Sequence, residues 1–172
     1  MKLYINGKVF SLHRKYSVSD VYGQDIYEIS SEFFTIGHKT TIKKLTGEKI
    51  AYIKQKVFRF FPTYDVYIRD KIVCRITRKF NLLKRKYELS NGYRVEGNFT
   101  DLNFSIYAPN NKEVATIKKK FFSFKEKYEI NIHDEGDIAL PLAIVVAITN
   151  DIWDETANSI SWSTAASLSS SG

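Results

Sequence analysis

The sequence predicts an all-β domain with one central helix: a closed antiparallel barrel of about twelve strands enclosing a hydrophobic C-terminal α-helix. Three observations predict it. Among 172 residues there are 25 Phe, Tyr and Trp against three Pro, a load that suits strands better than helical bundles. One five-residue pattern recurs four times through the basic part of the chain. An uninterrupted apolar run appears once, near the end.

The repeated pattern reads Ile, two residues, Lys, an apolar residue, six residues, Tyr, one residue, an aliphatic. Its copies are Ile5-Lys8-Val9-Tyr16-Val18, Ile53-Lys56-Val57-Tyr64-Val66, Ile76-Lys79-Phe80-Tyr87-Leu89 and Ile117-Lys120-Phe121-Tyr128-Ile130. Irregular spacing between copies argues for duplicated strand pairs rather than a solenoid. Around them, segments such as Ile50-Ala51-Tyr52-Ile53 and Tyr64-Asp65-Val66-Tyr67-Ile68 place β-branched and aromatic residues at period two, the signature of strands. Polar turns at Thr46-Gly47, Arg69-Asp70-Lys71, Asn91-Gly92 and Pro109-Asn110-Asn111 predict antiparallel hairpins, Asn-Gly most strongly. The runs from Lys2 to Ile132 number about twelve, and so long a sheet splits into a sandwich or closes into a barrel, which removes its edges.

After His133-Asp134-Glu135-Gly136, residues Ile138 to Ile148 form eleven consecutive apolar positions including Pro141. A buried strand and a helix both fit such a run. Asp137 as N-cap and Pro141 in the first turn favour the helix. It would cover about 16 Å, short of the roughly 30 Å of bilayer hydrocarbon, so no transmembrane span is expected. A helix apolar all round must be enclosed by protein, and the preceding sheet is the available enclosure. The domain is expected over residues 1–155; residues 156–172, with seven serines and no charge, read as a flexible tail.

All 26 Lys and Arg lie between Lys2 and Lys127, so residues 1–128 carry +14 and the remainder −7. The densest stretch, Lys39 to Lys86, has 15 bases against Glu48, Asp65 and Asp70. Such a field attracts polyanions, whether phospholipid surface or nucleic acid. Against that stands the ordinary use of strand lysines to solubilise a sheet and block edge pairing. A lone cysteine, Cys74, permits no internal disulfide, and the amino-terminal segment has no signal-peptide core, so a reducing cytoplasmic setting is expected, with peripheral attachment to a membrane allowed by the charge. The sequon Asn98-Phe99-Thr100 then has no use.

Catalytic chemistry leaves no signature. The eight glycines form no phosphate-binding loop. His13, His38 and His133 are dispersed, and none has a second ligand at metal spacing. Cys74 sits in the alternating run Ile72-Val73-Cys74-Arg75-Ile76, which suits packing. The acids Asp134-Glu135-Asp137 and Asp151-Asp154-Glu155 show no calcium-loop spacing. No enzyme, cofactor or metal is expected. More suggestive are cations interleaved with rings: Lys56-Val57-Phe58-Arg59-Phe60-Phe61, Lys79-Phe80-Asn81-Leu82-Leu83-Lys84-Arg85-Lys86 and Lys118-Lys119-Lys120-Phe121-Phe122-Ser123-Phe124-Lys125. These suit acidic headgroups with rings in the membrane interface, or single-stranded nucleic acid stacked on the rings; equally, the rings could plug the barrel while the lysines wet its rim.

The stretches Gly97-Asn98-Phe99, Phe104-Ser105-Ile106-Tyr107, Glu113 to Ser123, Tyr128-Glu129-Ile130 and Ala139 to Ile148 together resemble the LURP-one-related family, including the bacterial YxjI-like proteins. The resemblance covers about residues 1–155. It implies the tubby C-terminal-like fold, a twelve-stranded barrel around a hydrophobic helix. In the family an Asp often follows the apolar run; here Thr149 and Asn150 stand there, with Asp151 next. The wider superfamily includes phosphoinositide-binding tubby proteins and phospholipid scramblases. Charge and this resemblance together lead to the expectation of a non-enzymatic module binding anionic phospholipid or phosphoinositide-like headgroups through Lys54, Lys56, Arg78, Lys79, Lys119 and Lys120. A regulatory scaffold contacting protein or nucleic acid is the alternative.

Overall fold

The computed structural model describes residues 1–6, 15–32, 37–79, 85–122 and 125–169, those at 6, 121–122, 125–126 and 156–169 by backbone alone. Their strands are β1 (Lys2–Asn6), β2 (Lys15–Ser19), β3 (Asp25–Glu32), β4 (Lys39–Lys44), β5 (Lys49–Gln55), β6 (Thr63–Ile68), β7 (Lys71–Lys79), β8 (Lys86–Leu89), β9 (Arg94–Asn98), β10 (Asn103–Tyr107), β11 (Glu113–Phe122) and β12 (Lys125–Ile132), followed by the helix α1 (Ala139–Ser169). The strands form one sheet in the order β8-β7-β6-β5-β4-β3-β2-β1-β12-β11-β10-β9, so consecutive strands are neighbours and the β1–β12 ladder joins the two ends of the series.

The repeat is a register device. Its Ile and its aliphatic residue are direct cross-strand partners in every copy: Ile5 with Val18, Ile53 with Val66, Ile76 with Leu89 and Ile117 with Ile130. Because side chains alternate faces, the even spacings within each strand keep Ile, Tyr and aliphatic on the inner face, while Lys, three residues after Ile, falls on the outer one. All four tyrosines, Tyr16, Tyr64, Tyr87 and Tyr128, are accordingly buried. Lys8, Val9 and Phe80 of the pattern lie outside the described residues.

The expected closure is nearly complete. All ladders form except one between β8 and β9, the two ends of the sheet order. The Asn91-Gly92 turn, expected to make a hairpin, therefore links these two strands without a ladder between them. Ser90 continues along β7 instead, donating its amide to Arg75 O at 3.0 Å. The two bordering strands are only four and five residues long and carry Lys86, Glu88, Arg94 and Glu96, features that blunt exposed edges. Ring packing of Tyr87 on Phe99, centroids 5.0 Å apart, bridges the seam.

Within the barrel every residue from Leu140 to Thr149 is buried, as an apolar run with no polar face requires. Helical bonding begins with Leu142 N donating to Ile138 O at 3.1 Å. Ile138, rather than Asp137, thus occupies the cap position; Asp137 is held in the preceding turn through its amide to Asp134 O. Pro141 keeps its first-turn place, where its missing N–H costs nothing. The helix backbone runs on to Ser169, so residues 156–169, read in the sequence as tail, continue it. An anchored helix extends without a new nucleation step, and no Gly or Pro stands between Thr156 and Ser171.

Candidate functional site

The helix enters the barrel beside the β6–β7 turn and leaves at the opposite, distal mouth. There the apolar lining gives way to a polar collar. Asp151, which is buried, accepts bonds from Tyr64 Oη at 3.0 Å and Tyr87 Oη at 2.8 Å, with Arg78 Nη1 at 3.4 Å. Burial raises the Asp151 carboxyl above the usual carboxylate range, against the opposing pull of Arg78 and the two tyrosines. Both phenols are raised too, chiefly by burial and next by the Asp151 charge. One turn further on, Glu155 accepts from Arg78 at 2.6 Å and Arg85 at 2.9 Å, and Asp154 meets His38 at 2.8 Å. Asn150 donates to Thr40 Oγ1 at 3.0 Å, itself bonded to Ser31 at 2.8 Å. The acidic cluster Asp151-Asp154-Glu155 is thus explained as the lock that seats the helix, and among the described residues no group of three His, Cys, Asp or Glu is placed to hold a metal.

All six sequence-predicted basic residues lie toward this mouth, but not in one pocket. Lys54 is exposed at the end of β5. Lys56 follows it and reaches Asp65 at 3.5 Å. Asp65 points outward yet is buried beneath Arg75, whose Nε and Nη2 donate at 2.7 and 3.2 Å. Burial pushes the Asp65 carboxyl up, but Arg75 and Lys56 outweigh it and hold the group below its usual value. Arg78 faces inward, opposite Tyr87 in the ladder, and is committed to Asp151 and Glu155. Lys79 is on the outer face with Glu88 at 2.5 Å. On β11, four strands beyond β7 across the seam, Lys119 faces inward opposite Tyr128, and outward Lys120 lies 3.7 Å from Glu129. Lys118, Lys119 and Lys120 with Asp101 and Asn103 line an open cleft of about 430 Å³.

The feature that stands out at the distal mouth is the β5–β6 loop. Phe58 and Phe60 are 97% and 98% exposed, and Val57 and Phe61 partly so. Phe58 also has φ of 57°, a left-handed conformation that a bulky residue rarely adopts. The base of the loop is pinned on both sides: Gln55 N donates to His38 O at 2.8 Å, Lys56 N to Thr63 O at 2.7 Å and Arg78 N to Pro62 O at 3.0 Å. Gly37 is part of the pin, since a Cβ there would lie 2.6 Å from Gln55 O. Two exposed rings are therefore presented on a fixed platform with Lys54, Lys56 and Arg59 beside them. The alternation of rings and cations was visible in sequence; which rings face solvent was not, because period-two reasoning stops where the strand does. Phe80 to Lys84, Ser123 and Phe124 of the other two ring-and-cation stretches lie outside the described residues, as does His13.

Cys74 is buried in the barrel wall and its thiol is pushed up to about 11, chiefly by burial, which makes it a packing residue. His133 bonds the Glu113 carbonyl at 3.0 Å.

A family model described as LURP-one-related matches residues 1–149. The Bacillus subtilis (strain 168) protein YxjI is 24% identical over 161 residues, covering 93% of this chain and 99% of that protein. The X-ray structure of the Arabidopsis thaliana protein AT5G01750 superposes with a TM-score of 0.61 at 17% identity, over 88% of this chain and 91% of that one.

Proposed function

The chain belongs to the LURP-one-related family, and from that premise we propose that it is a non-enzymatic barrel module that docks on anionic phospholipid surfaces by its distal mouth. The observation that carries the proposal is the pair of fully exposed rings, Phe58 and Phe60, on a pinned loop among Lys54, Lys56 and Arg59. A solvated loop gains nothing from two bare phenyl groups, whereas at a membrane each contributes up to about 1.5–3 kcal/mol on burial. Each nearby Lys or Arg adds about 1 kcal/mol against an anionic leaflet. Neither contribution alone holds a protein at a membrane, and stable attachment takes two signals together. With no described helix long and apolar enough to cross a bilayer, attachment would be peripheral in this reading. The barrel interior, where an enzyme would need a polar cavity, is occupied by α1. The implied tubby-like relationship agrees with a lipid-binding role.

Flotation with phosphatidylcholine vesicles, with and without phosphatidylserine, tests the reading. Binding confined to the anionic vesicles and weakened by salt is expected. The double variant Phe58→Ser/Phe60→Ser should lower it at least tenfold without changing the melting temperature, because neither ring packs on the core. Failure of the unaltered protein to float with anionic vesicles would remove lipid docking and leave the exposed loop to a protein partner.

A further inference from the structure

We infer that three pairs of lysines set directly opposite one another on the outer face around the distal mouth, Lys39 with Lys54, Lys79 with Lys86 and Lys120 with Lys127, are two-cation clamps that seat the barrel mouth-down on the anionic phospholipid surface. The inference rests on the lipid-docking reading and deepens it. Like charges directly opposed across a ladder destabilise a sheet, and opposite charges at the same positions would stabilise it. Here the unfavourable choice is made three times at one end of the barrel.

The outward direction of each pair follows from its buried inner-face neighbours, Thr40 and Ile53 for the first, Tyr87 for the second and Tyr128 for the third. Most acids at this mouth are engaged by other partners. Asp154 is taken by His38, Glu155 by Arg78 and Arg85, and Asp101 by Asn98, while Asp65, directly opposite Lys54 in the β5–β6 ladder, is held by Arg75 and Lys56. Glu129 engages Lys120, and Glu88 engages Lys79 while also feeling the Lys86 charge. Glu32 stands opposite Lys39 on the other side, in the β3–β4 ladder. Lys54, Lys86 and Lys127 make no ion pair among the described residues. A fourth opposed pair, Lys43 with Lys49, lies at the other mouth, where Asp70 holds Lys49 at 2.7 Å and Glu48 and Glu135 line the same cleft. Opposed lysine pairs thus concentrate, three against one, where the phenyl loop projects. Sitting on β4–β5, β7–β8 and β11–β12, they are distributed around the ring and define a plane rather than a pocket. An extended anionic surface can meet all three at once; a single small anion cannot. A local conflict repeated around one rim is the kind of inconsistency that binding resolves.

The test uses the full chain and phosphatidylcholine vesicles containing increasing phosphatidylserine. The triple variant Lys54→Glu/Lys86→Glu/Lys127→Glu is expected to bind at least thirtyfold more weakly and to melt at a higher temperature in low salt, because each substitution turns a repulsive pair attractive. A structural role alone would not couple tighter folding to weaker binding. The neutral triple with Gln at the same positions keeps the test open if the Glu form does not fold, and should bind roughly tenfold more weakly. Lys43→Glu/Lys71→Glu/Lys112→Glu makes the same change in net charge at the other mouth and should bind within about threefold of the unaltered protein. Equal loss in both Glu triples would overturn the rim assignment in favour of net charge, and undiminished binding of the distal triple would overturn it outright, both with lipid docking itself intact. Tighter binding to charge-matched single-stranded DNA than to the anionic vesicles at the same salt would overturn a lipid surface as the occupant. If the unaltered protein ignores anionic vesicles, the docking reading falls and this inference with it.

Discussion

At the residue scale, the side chains that fasten the helix into the barrel are also those whose protonation the fold alters. His38, half-buried, bonds Asp154 at 2.8 Å, and that bond raises the imidazole above its ordinary value, with burial opposing and the Asp154 charge assisting. A base raised in the folded state contributes stability that is fully present below its unfolded value, about 6.5, and is lost as pH rises through the folded value. His38→Gln should therefore lower the melting temperature most near pH 5.5 and progressively less toward pH 9. Melting curves of the two proteins across that interval check it, and a difference that does not vary with pH would sink the ion pair as its cause. The raised Asp151 carboxyl acts in the same direction in both proteins, since its proton is held more tightly in the folded state, so the comparison isolates His38. Sequence reasoning set His38 aside because it looked for a second metal ligand nearby in the chain; its actual partner is 116 positions away. Asp151 was visible as a departure from the family pattern, but its burial between two tyrosines depended on knowing that both repeats turn their Tyr inward.

At the element scale, most of the fold was legible because one physical rule, alternation of faces, governs most of the chain. The Ile-to-aliphatic offset located four strand pairs, and the same offset separates Ile29 from Ile42, direct partners on β3 and β4 with Thr40 in the Tyr place. The elements read less well are those where alternation is silent. The helix cap fell one residue later than the acidic Asp137, since the preceding turn claimed that residue. The Asn-Gly signal correctly marked a turn, but turn chemistry does not say whether the strands it joins will pair. Gly97 shows what sequence could point to without explaining. It belongs to the stretch that resembles the family, and the reason for glycine is geometric: at φ 141° it lies opposite Phe104, where a Cβ would stand 2.4 Å from Asn103 O and 2.6 Å from the Phe104 Cα. Both obstacles are backbone, so they cannot swing away. Gly97→Ala should cost about 1–3 kcal/mol, the range for forcing volume into a packed site. Urea unfolding measures it, and an unchanged midpoint would mean that β9 can shift along the seam without loss.

At the scale of the whole molecule, the barrel has a strong wall and a weak one, and the proposed docking rim spans both. Helix α1 packs chiefly on β5, β6, β7, β11 and β12, while β8 and β9 meet without a ladder. Residues of β9 are largely exposed, so little burial holds that strand beyond its bonds to β10. Local opening is expected at the seam, because stability within a fold follows buried contact and backbone bonding rather than being uniform. In amide hydrogen exchange, β8 and β9 should be the least protected strands, at least a hundredfold below β5 and β12, with uniform protection across all strands counting against an unpaired seam. Docking adds a second expectation to the same measurement. The Lys79–Lys86 clamp lies on β7 and β8, beside the seam, whereas the clamps on β4–β5 and β11–β12 sit away from it. If all three engage one anionic surface, vesicles containing phosphatidylserine should slow exchange in β8 more than in β5, because only the former has an opening motion left to suppress. Slowing confined to the β5–β6 loop would instead mean that the phenyl groups hold the membrane alone and the seam keeps its freedom.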